Sequence, residues 1–377
     1  MNPRRLLSSD GWPYLLVPFI PAAILFEFVF HASPLVLFGL SAAGVIPTAA
    51  LMGRATEELA VRSGPGIGGL LNVTFGNAPE LIIALFALNA GLHEVVKASI
   101  IGSILGNVLL VMGAAMLIGG FGRERQTFDR TAANAQSLML LLAAVALVMP
   151  AVFELVQGSG LPSAGEDRID YDSTVENLSL VVAVILIGSY VAGLFFSLKT
   201  HKGLFNPTEG DEGHGDHHAD GAWTVKKAVI ALASAGIAVG VMSEILVGSI
   251  SEASETVGLS EFFVGVIVVA IVGNAAEHWV AILVAYKNKM DLAVNIAIGS
   301  SAQIALFVAP VLVLASYVFG PHPMALVFNG FEIAGVLLAI LIATHITNDG
   351  ESTWFEGLQL LAVYVVLGAA FFAAGSG

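Results

Sequence analysis

Two short segments of this chain are near-copies of each other: Gly76-Asn77-Ala78-Pro79-Glu80 and Gly273-Asn274-Ala275-Ala276-Glu277, at a fixed offset of 197 residues. Each lies inside a long apolar stretch. Within a bilayer, an ionised side chain costs roughly 2.5–3.5 kcal/mol or more. A carboxylate kept there is a functional-site candidate. Two of them in matching contexts point to a duplicated site that handles charge.

The apolar stretches read as membrane spans. Of 377 residues, 56% are hydrophobic and only 12% charged, with a mean hydropathy of +0.86. A water-facing surface of this size needs more charge. Apolar runs of about 20 residues recur, the length that crosses a hydrocarbon core of roughly 30 Å. The runs are continuous rather than alternating, which selects helices over a closed barrel. The expected fold is an all-α integral membrane protein with eleven transmembrane helices. They fall near 12–31, 34–55, 66–90, 94–120, 131–156, 176–199, 223–250, 260–286, 291–318, 323–346 and 353–375. The first run carries Glu27 and three prolines and is long, so it reads as a retained span rather than a cleaved signal peptide. No cysteine is present, which excludes disulfides and thiolate metal sites. Any bound metal must use oxygen or imidazole. The formal charge of −14 lies mostly in loops and argues against a nucleic-acid partner.

The offset of 197 extends beyond the motif. Glu58 meets Glu255, Ser63 meets Ser260, Gly68 meets Gly265, and Ile101-Gly102-Ser103 meets Ile298-Gly299-Ser300. The two motifs sit in the third and eighth spans, an odd number of crossings apart, so the halves run in opposite directions. Inverted repeats of this kind hold substrates at the repeat interface near the midplane. The expected organisation is 1 + 5 + 5: an extra span in 1–33, a first five-helix repeat in 34–199, a loop in 200–222, and a second five-helix repeat in 223–377. The loop is acidic and His-rich, and reads as a flexible linker.

Positive charge sets the orientation. With a cytoplasmic N-terminus, Arg4, Arg5, Arg54, Arg62, Arg123, Arg125, Arg130, Lys199, Lys202, Lys226, Lys227, Lys287 and Lys289 fall inside. Only Lys97 and Arg168 fall outside. The C-terminus is then expected outside.

In helical form, Asn77 and Glu80 share a face, as do Asn274 and Glu277. Gly76 and Gly273 permit close helix approach. Pro79 removes a backbone donor and disturbs the preceding turn, which can free carbonyl oxygens; the second copy has Ala276 instead. Ser103 and Asn107 line one face of the fourth span, and Ser300 and Gln303 line one face of the ninth. With the two glutamates they form an all-oxygen ligand set that suits Ca²⁺ and also accepts Mg²⁺ or Mn²⁺. Two carboxyls facing each other in low dielectric resist ionising together and titrate as a pair. A site loaded with a divalent cation, or with protons, is near neutral and crosses between access states easily. An empty, doubly charged site does not. Strict exchange of a divalent cation for protons follows. Glu58 and Glu255 are candidate mouths of the two access paths. His278 is a candidate proton relay.

These segments, with Ile101-Gly102-Ser103-Ile104-Leu105-Gly106-Asn107 and Ile298-Gly299-Ser300-Ser301-Ala302-Gln303 downstream, resemble the two signature regions of the Ca²⁺/H⁺ antiporter (cation/proton exchanger) family. That family belongs to the calcium/cation antiporter superfamily, and the likeness covers nearly the whole chain. The resemblance implies that Glu80 and Glu277 are the shared Ca²⁺ and H⁺ site. It implies that Asn77, Asn274, Ser103, Asn107, Ser300 and Gln303 help line it, and it also matches His278. It implies alternating access against a fixed core, with Ca²⁺ and H⁺ as transported substrates, no cofactor and no enzymatic activity. The short N-terminus resembles prokaryotic members, so a plasma-membrane location is expected. The rival readings are a Na⁺/Ca²⁺ exchanger of the same superfamily and a passive cation channel. Oligomeric state is not readable from the sequence.

Overall fold

The computed structural model describes residues 11–158, 160–166, 168–200 and 223–375. The side chains of 64–67, 69, 70, 72, 73 and 198 are excluded from that description. The linker's residues 201–222 and the basic pair Arg4-Arg5 lie outside the described residues.

A short 3-10 turn, Trp12–Leu16, leads into α1 (Phe19–Phe28). Then come α2 (Pro34–Gly76), α3 (Ala78–Asn89), α4 (His93–Gly120), α5 (Arg130–Gln157) and α6 (Ser173–Phe195). After the linker follow α7 (Val225–Val257), α8 (Glu261–Tyr286), α9 (Met290–Ser316), α10 (Gly330–Ile346) and α11 (Trp354–Gly375). Among the described residues, eight helices are long and apolar enough to cross a membrane by length and composition.

Helix starts follow the capping residues of the sequence. Asp129, Asp172, Thr224 and Ser260 each accept a backbone N–H from the first turn of α5, α6, α7 and α8. Asn329 and Glu332 form a reciprocal capping box at α10. That box explains why α10 starts at Gly330 rather than near 323. Residues 323–329 are non-helical instead, although 324–329 are buried. Their backbone finds side-chain partners: Met324 N donates to Ser316 Oγ at 2.7 Å and Leu326 N to Ser179 Oγ at 3.0 Å. The Val327 carbonyl accepts from Lys97 Nζ at 3.1 Å. Buried, non-helical backbone at this depth requires such partners.

The helical run of α2 has 43 residues, about 64 Å if straight, or twice a hydrocarbon core. It is not straight. A side chain at Gly68 would run into the carbonyl of Ala60, yet residues eight apart in a straight helix are separated by about 12 Å. The run therefore bends sharply between Ala60 and Gly68, a segment that contains Pro65.

The centre of the molecule is made by α4 and α9, whose apolar windows are 83% and 72% buried against 17–44% in the other long helices. These two are counterparts at the 197-residue offset. Each contains a π-helical stretch at the matching place, Gly106–Val111 in α4 and Ile304–Val308 in α9. Such stretches are rare and gather at functional sites. A two-residue antiparallel bridge, β1 (Gln126–Thr127) with β2 (Glu351–Ser352), ties the loop after α4 to the loop before α11.

Candidate cation site

The two motifs meet at the centre of the molecule. In the first copy, Pro79 has no N–H to give the Phe75 carbonyl. Asn77 N–H turns back to that carbonyl instead, and the helix breaks at Asn77 between α2 and α3. The carbonyl expected to be freed by proline is thus occupied. In the second copy, with Ala276 at the matching position, α8 runs unbroken from Ala270 to Tyr286.

The glycines and glutamates cross reciprocally. A methyl group at Gly76 would lie 3.6 Å from Glu277 Oε1, and one at Gly273 would lie 3.4 Å from Glu80 Cγ. Each glutamate therefore rests against the glycine of the other copy, which brings both carboxyls to one place. Both are half-buried.

Four side chains from α4 and α9 complete the arrangement. Asn77 Nδ2 donates to Gln303 Oε1 at 2.7 Å. Asn274 Nδ2 donates to Ser103 Oγ at 3.0 Å and to the Ala270 carbonyl at 2.9 Å. Ser300 Oγ donates to Glu277 Oε2 at 2.9 Å. With both amide nitrogens committed, the oxygens are left over. Asn77 Oδ1, Asn274 Oδ1, Glu80 Oε2 and both amide atoms of Asn107 are buried without a hydrogen-bond partner. Orphaned buried oxygens are costly, and several at one place suit a cation with its waters. Among the described residues, no group of three or more His, Asp or Glu forms a metal cluster. The ligand set is two carboxylates plus neutral oxygens, as hard divalent cations accept.

Ser300→Ala removes a hydroxyl that stabilises the ionised form of Glu277. A hydrogen bond to a charged group is worth about 1.5–3 kcal/mol, so the variant binds Ca²⁺ about tenfold more weakly in isothermal titration at fixed pH.

The structure does not bring every candidate to this centre. His278 is buried and its Nε2 has no partner, but its ring faces Gly106, with Cε1 3.9 Å from the position a methyl would take. Glu58 accepts the backbone N–H of Trp223 at 3.0 Å, which anchors the end of the linker to α2. Glu255 is exposed in the last turn of α7. Glu57, beside Glu58, is exposed.

Fold and site together define a helical membrane protein built around an acidic pair contributed by two copies of one motif. The chain belongs to the family described as sodium/calcium exchanger protein, whose model matches residues 33–199 and 227–373. It is similar to the Ca²⁺/H⁺ antiporter ChaA of Bacillus subtilis, 46% identical over 91% of this chain and 93% of that one. It is also similar to a Ca²⁺/H⁺ antiporter of Aphanothece halophytica, 44% identical over 97% and 98%. The solved structure of native YfkE superposes with a TM-score of 0.80 at 43% identity, covering 96% of this chain and 99% of that one.

Proposed function

We propose that this chain is a secondary transporter that exchanges Ca²⁺ for H⁺ across a membrane by alternating access, with Glu80 and Glu277 as the shared binding site. The observation that carries this reading is the reciprocal crossing of the two motifs, which leaves the acidic pair among unpartnered buried oxygens. Ca²⁺ fills such a site with charge +2, and two protons leave it neutral. Either load removes the electrostatic obstacle to exposing the site on the other side. The relatives named as Ca²⁺/H⁺ antiporters, similar over nearly full length, support protons rather than Na⁺ as the counter-ion.

We further read the chain as eleven crossings, with α2 supplying the second and beginning the third, arranged as 1 + 5 + 5 inverted repeats. The N-terminus lies in the cytoplasm, the C-terminus outside, and the membrane is a prokaryotic plasma membrane. Asn77, Asn274, Ser103, Asn107, Ser300 and Gln303 line the site.

The test is a flux assay in proteoliposomes. An imposed pH gradient drives Ca²⁺ uptake in the complete absence of Na⁺. Uptake that appears only with a Na⁺ gradient assigns the chain to Na⁺/Ca²⁺ exchange. Uptake with no counter-gradient of either ion makes it a channel.

A further inference from the structure

Where α7 begins beside α2, cations gather around one aromatic ring. Lys227 Nζ stands 4.4 Å from the centroid of the Trp223 ring, and Arg54 Cζ stands 5.2 Å from it. Lys226 is exposed next to Lys227. Trp223 is fixed through its backbone, whose N–H donates to Glu58 Oε2 at 3.0 Å. A ring face attracts a cation but does not neutralise it. The ion pairs among the described residues are made by Arg125, Arg168 and His322, and none involves Arg54, Lys226 or Lys227. Two acids stand one turn on from Arg54. Glu57 is exposed, and Glu58 is taken by the Trp223 N–H. Elsewhere, Arg123 and Arg130 are bonded to protein oxygens. Three cations at one place without a bound acid favour an anion from outside the chain.

The same turns of α7 carry an open groove of about 350 Å³, lined by Thr224, Lys226, Lys227, Ile230 and Ala231. That volume is at the lower end of the roughly 300–1,000 Å³ of sites that hold small organic ligands. Its chemistry changes along the helix. Ile230 follows Lys226 by four residues and Ala231 follows Lys227 by four, so each ammonium has an apolar neighbour one turn further on the same face. Ala233, Ser234 and Ile237 prolong that face and are exposed. A cationic end followed by an uncovered, mostly apolar track matches a phospholipid with a net negative headgroup. Charge bias alone needs none of this. Lys287 and Lys289, between α8 and α9, are also exposed, and among the described residues neither lies over a ring.

We propose that Lys226 and Lys227, with Arg54 and Trp223 beside them, bind an anionic phospholipid of the surrounding leaflet. Its phosphate lies at the two ammonium groups and an acyl chain runs along Ile230 toward Ile237. Thr224 Oγ1 accepts the Lys227 N–H, which leaves its hydroxyl hydrogen to donate to the phosphate. Through the Trp223–Glu58 bond, the lipid braces the start of α7 against α2. The site does not touch the acidic pair and does not depend on the antiporter reading. Only the naming of the leaflet as cytoplasmic rests on the orientation proposed above.

The full chain in neutral detergent micelles is titrated with phosphatidylglycerol, and the lipid retained is counted by native mass spectrometry. Phosphatidylglycerol is retained and phosphatidylcholine is not. Lys226→Ala with Lys227→Ala lowers the affinity about 30-fold, each such cation being worth about fivefold at an anionic headgroup. Both positions are exposed, so the variant folds, and an unchanged melting midpoint verifies this. Lys287→Ala with Lys289→Ala leaves the affinity at the parent's value. The proposal is overturned if the first double variant binds like the parent, or if both double variants lose affinity equally, which is diffuse charge. Retention of phosphatidylcholine to the same extent makes the bound lipid merely annular and overturns it as well. Inorganic phosphate that displaces phosphatidylglycerol at equal concentration shows an anion site without a lipid. A parent chain that retains no phosphatidylglycerol refutes the site outright, the chain's own acidic linker then being the better occupant of the lysines.

Discussion

Proteoliposomes carrying Glu277→Gln take up no Ca²⁺ under a pH gradient beyond that of empty vesicles, and Glu80→Gln behaves the same way. The amide is close to the carboxylate in volume, so packing against Gly76 or Gly273 is preserved. What is lost is charge. With one carboxylate, the Ca²⁺-loaded site keeps a net +1 in a low-dielectric centre, and the cation loses one of its two charged ligands. At an effective dielectric of 20, a divalent ion and a carboxylate in contact interact by more than about 10 kcal/mol before desolvation is subtracted. Even a residual loss of about 3 kcal/mol lowers affinity by roughly 100-fold. The exchange stoichiometry fails too, because an amide carries no proton back. Stability stays within about 1 kcal/mol, since an amide oxygen still accepts from Ser300 and neutralising one acid relieves repulsion within the pair. Detergent-extracted variants should therefore elute and melt like the parent. Either variant retaining more than about a tenth of the parent flux would remove that glutamate from the mechanism.

The site was more legible in the sequence than the scaffold that holds it. The doubled motif marked Glu80 and Glu277, which the structure brings together against the opposite glycines, while the helical i,i+3 spacing read for Asn77 and Glu80 is interrupted by the break at Asn77. The sequence had no means of showing that the glycines and glutamates cross reciprocally, because that depends on how two distant helices meet. Pro79 announced a break, and the break lies at Asn77. The fate of the Phe75 carbonyl depended on the Asn77 N–H turning back, a local detail no pattern specifies. Hydropathy read residues 323–329 as part of a span, since Met324 to Phe328 are apolar. They are non-helical because Ser316, Ser179 and Lys97 satisfy their backbone from other elements.

Lys97→Met destabilises the protein by about 3–5 kcal/mol, far more than any change at an exposed ion pair. On charge counting Lys97 is an outside residue near a span end, but its side chain is buried in the first turns of α4. Its ammonium bonds the Val327 carbonyl and stands 5.7 Å from the Tyr171 ring centroid. Arg168 lies over the same ring at 4.6 Å and pairs with buried Glu154 at 2.6 Å. Glu94 accepts from Gly165 N, and Glu332 closes the capping box beside Val327. Three buried acids, Glu94, Glu154 and Glu332, thus share this region with only two cations, Lys97 and Arg168. Removing one cation from such a network leaves charge uncompensated, which costs about 3–5 kcal/mol. It also strips the donor from the non-helical segment that leads into α10. Arg125→Ala is the internal control: Arg125 and Glu351 pair at 2.9 Å, but their side chains are 61% and 42% exposed, and such pairs contribute about 0–1 kcal/mol. Denaturant or thermal unfolding of both variants in one detergent makes the comparison. If Lys97→Met is no more destabilising than Arg125→Ala, the buried network does not hold this end of the core.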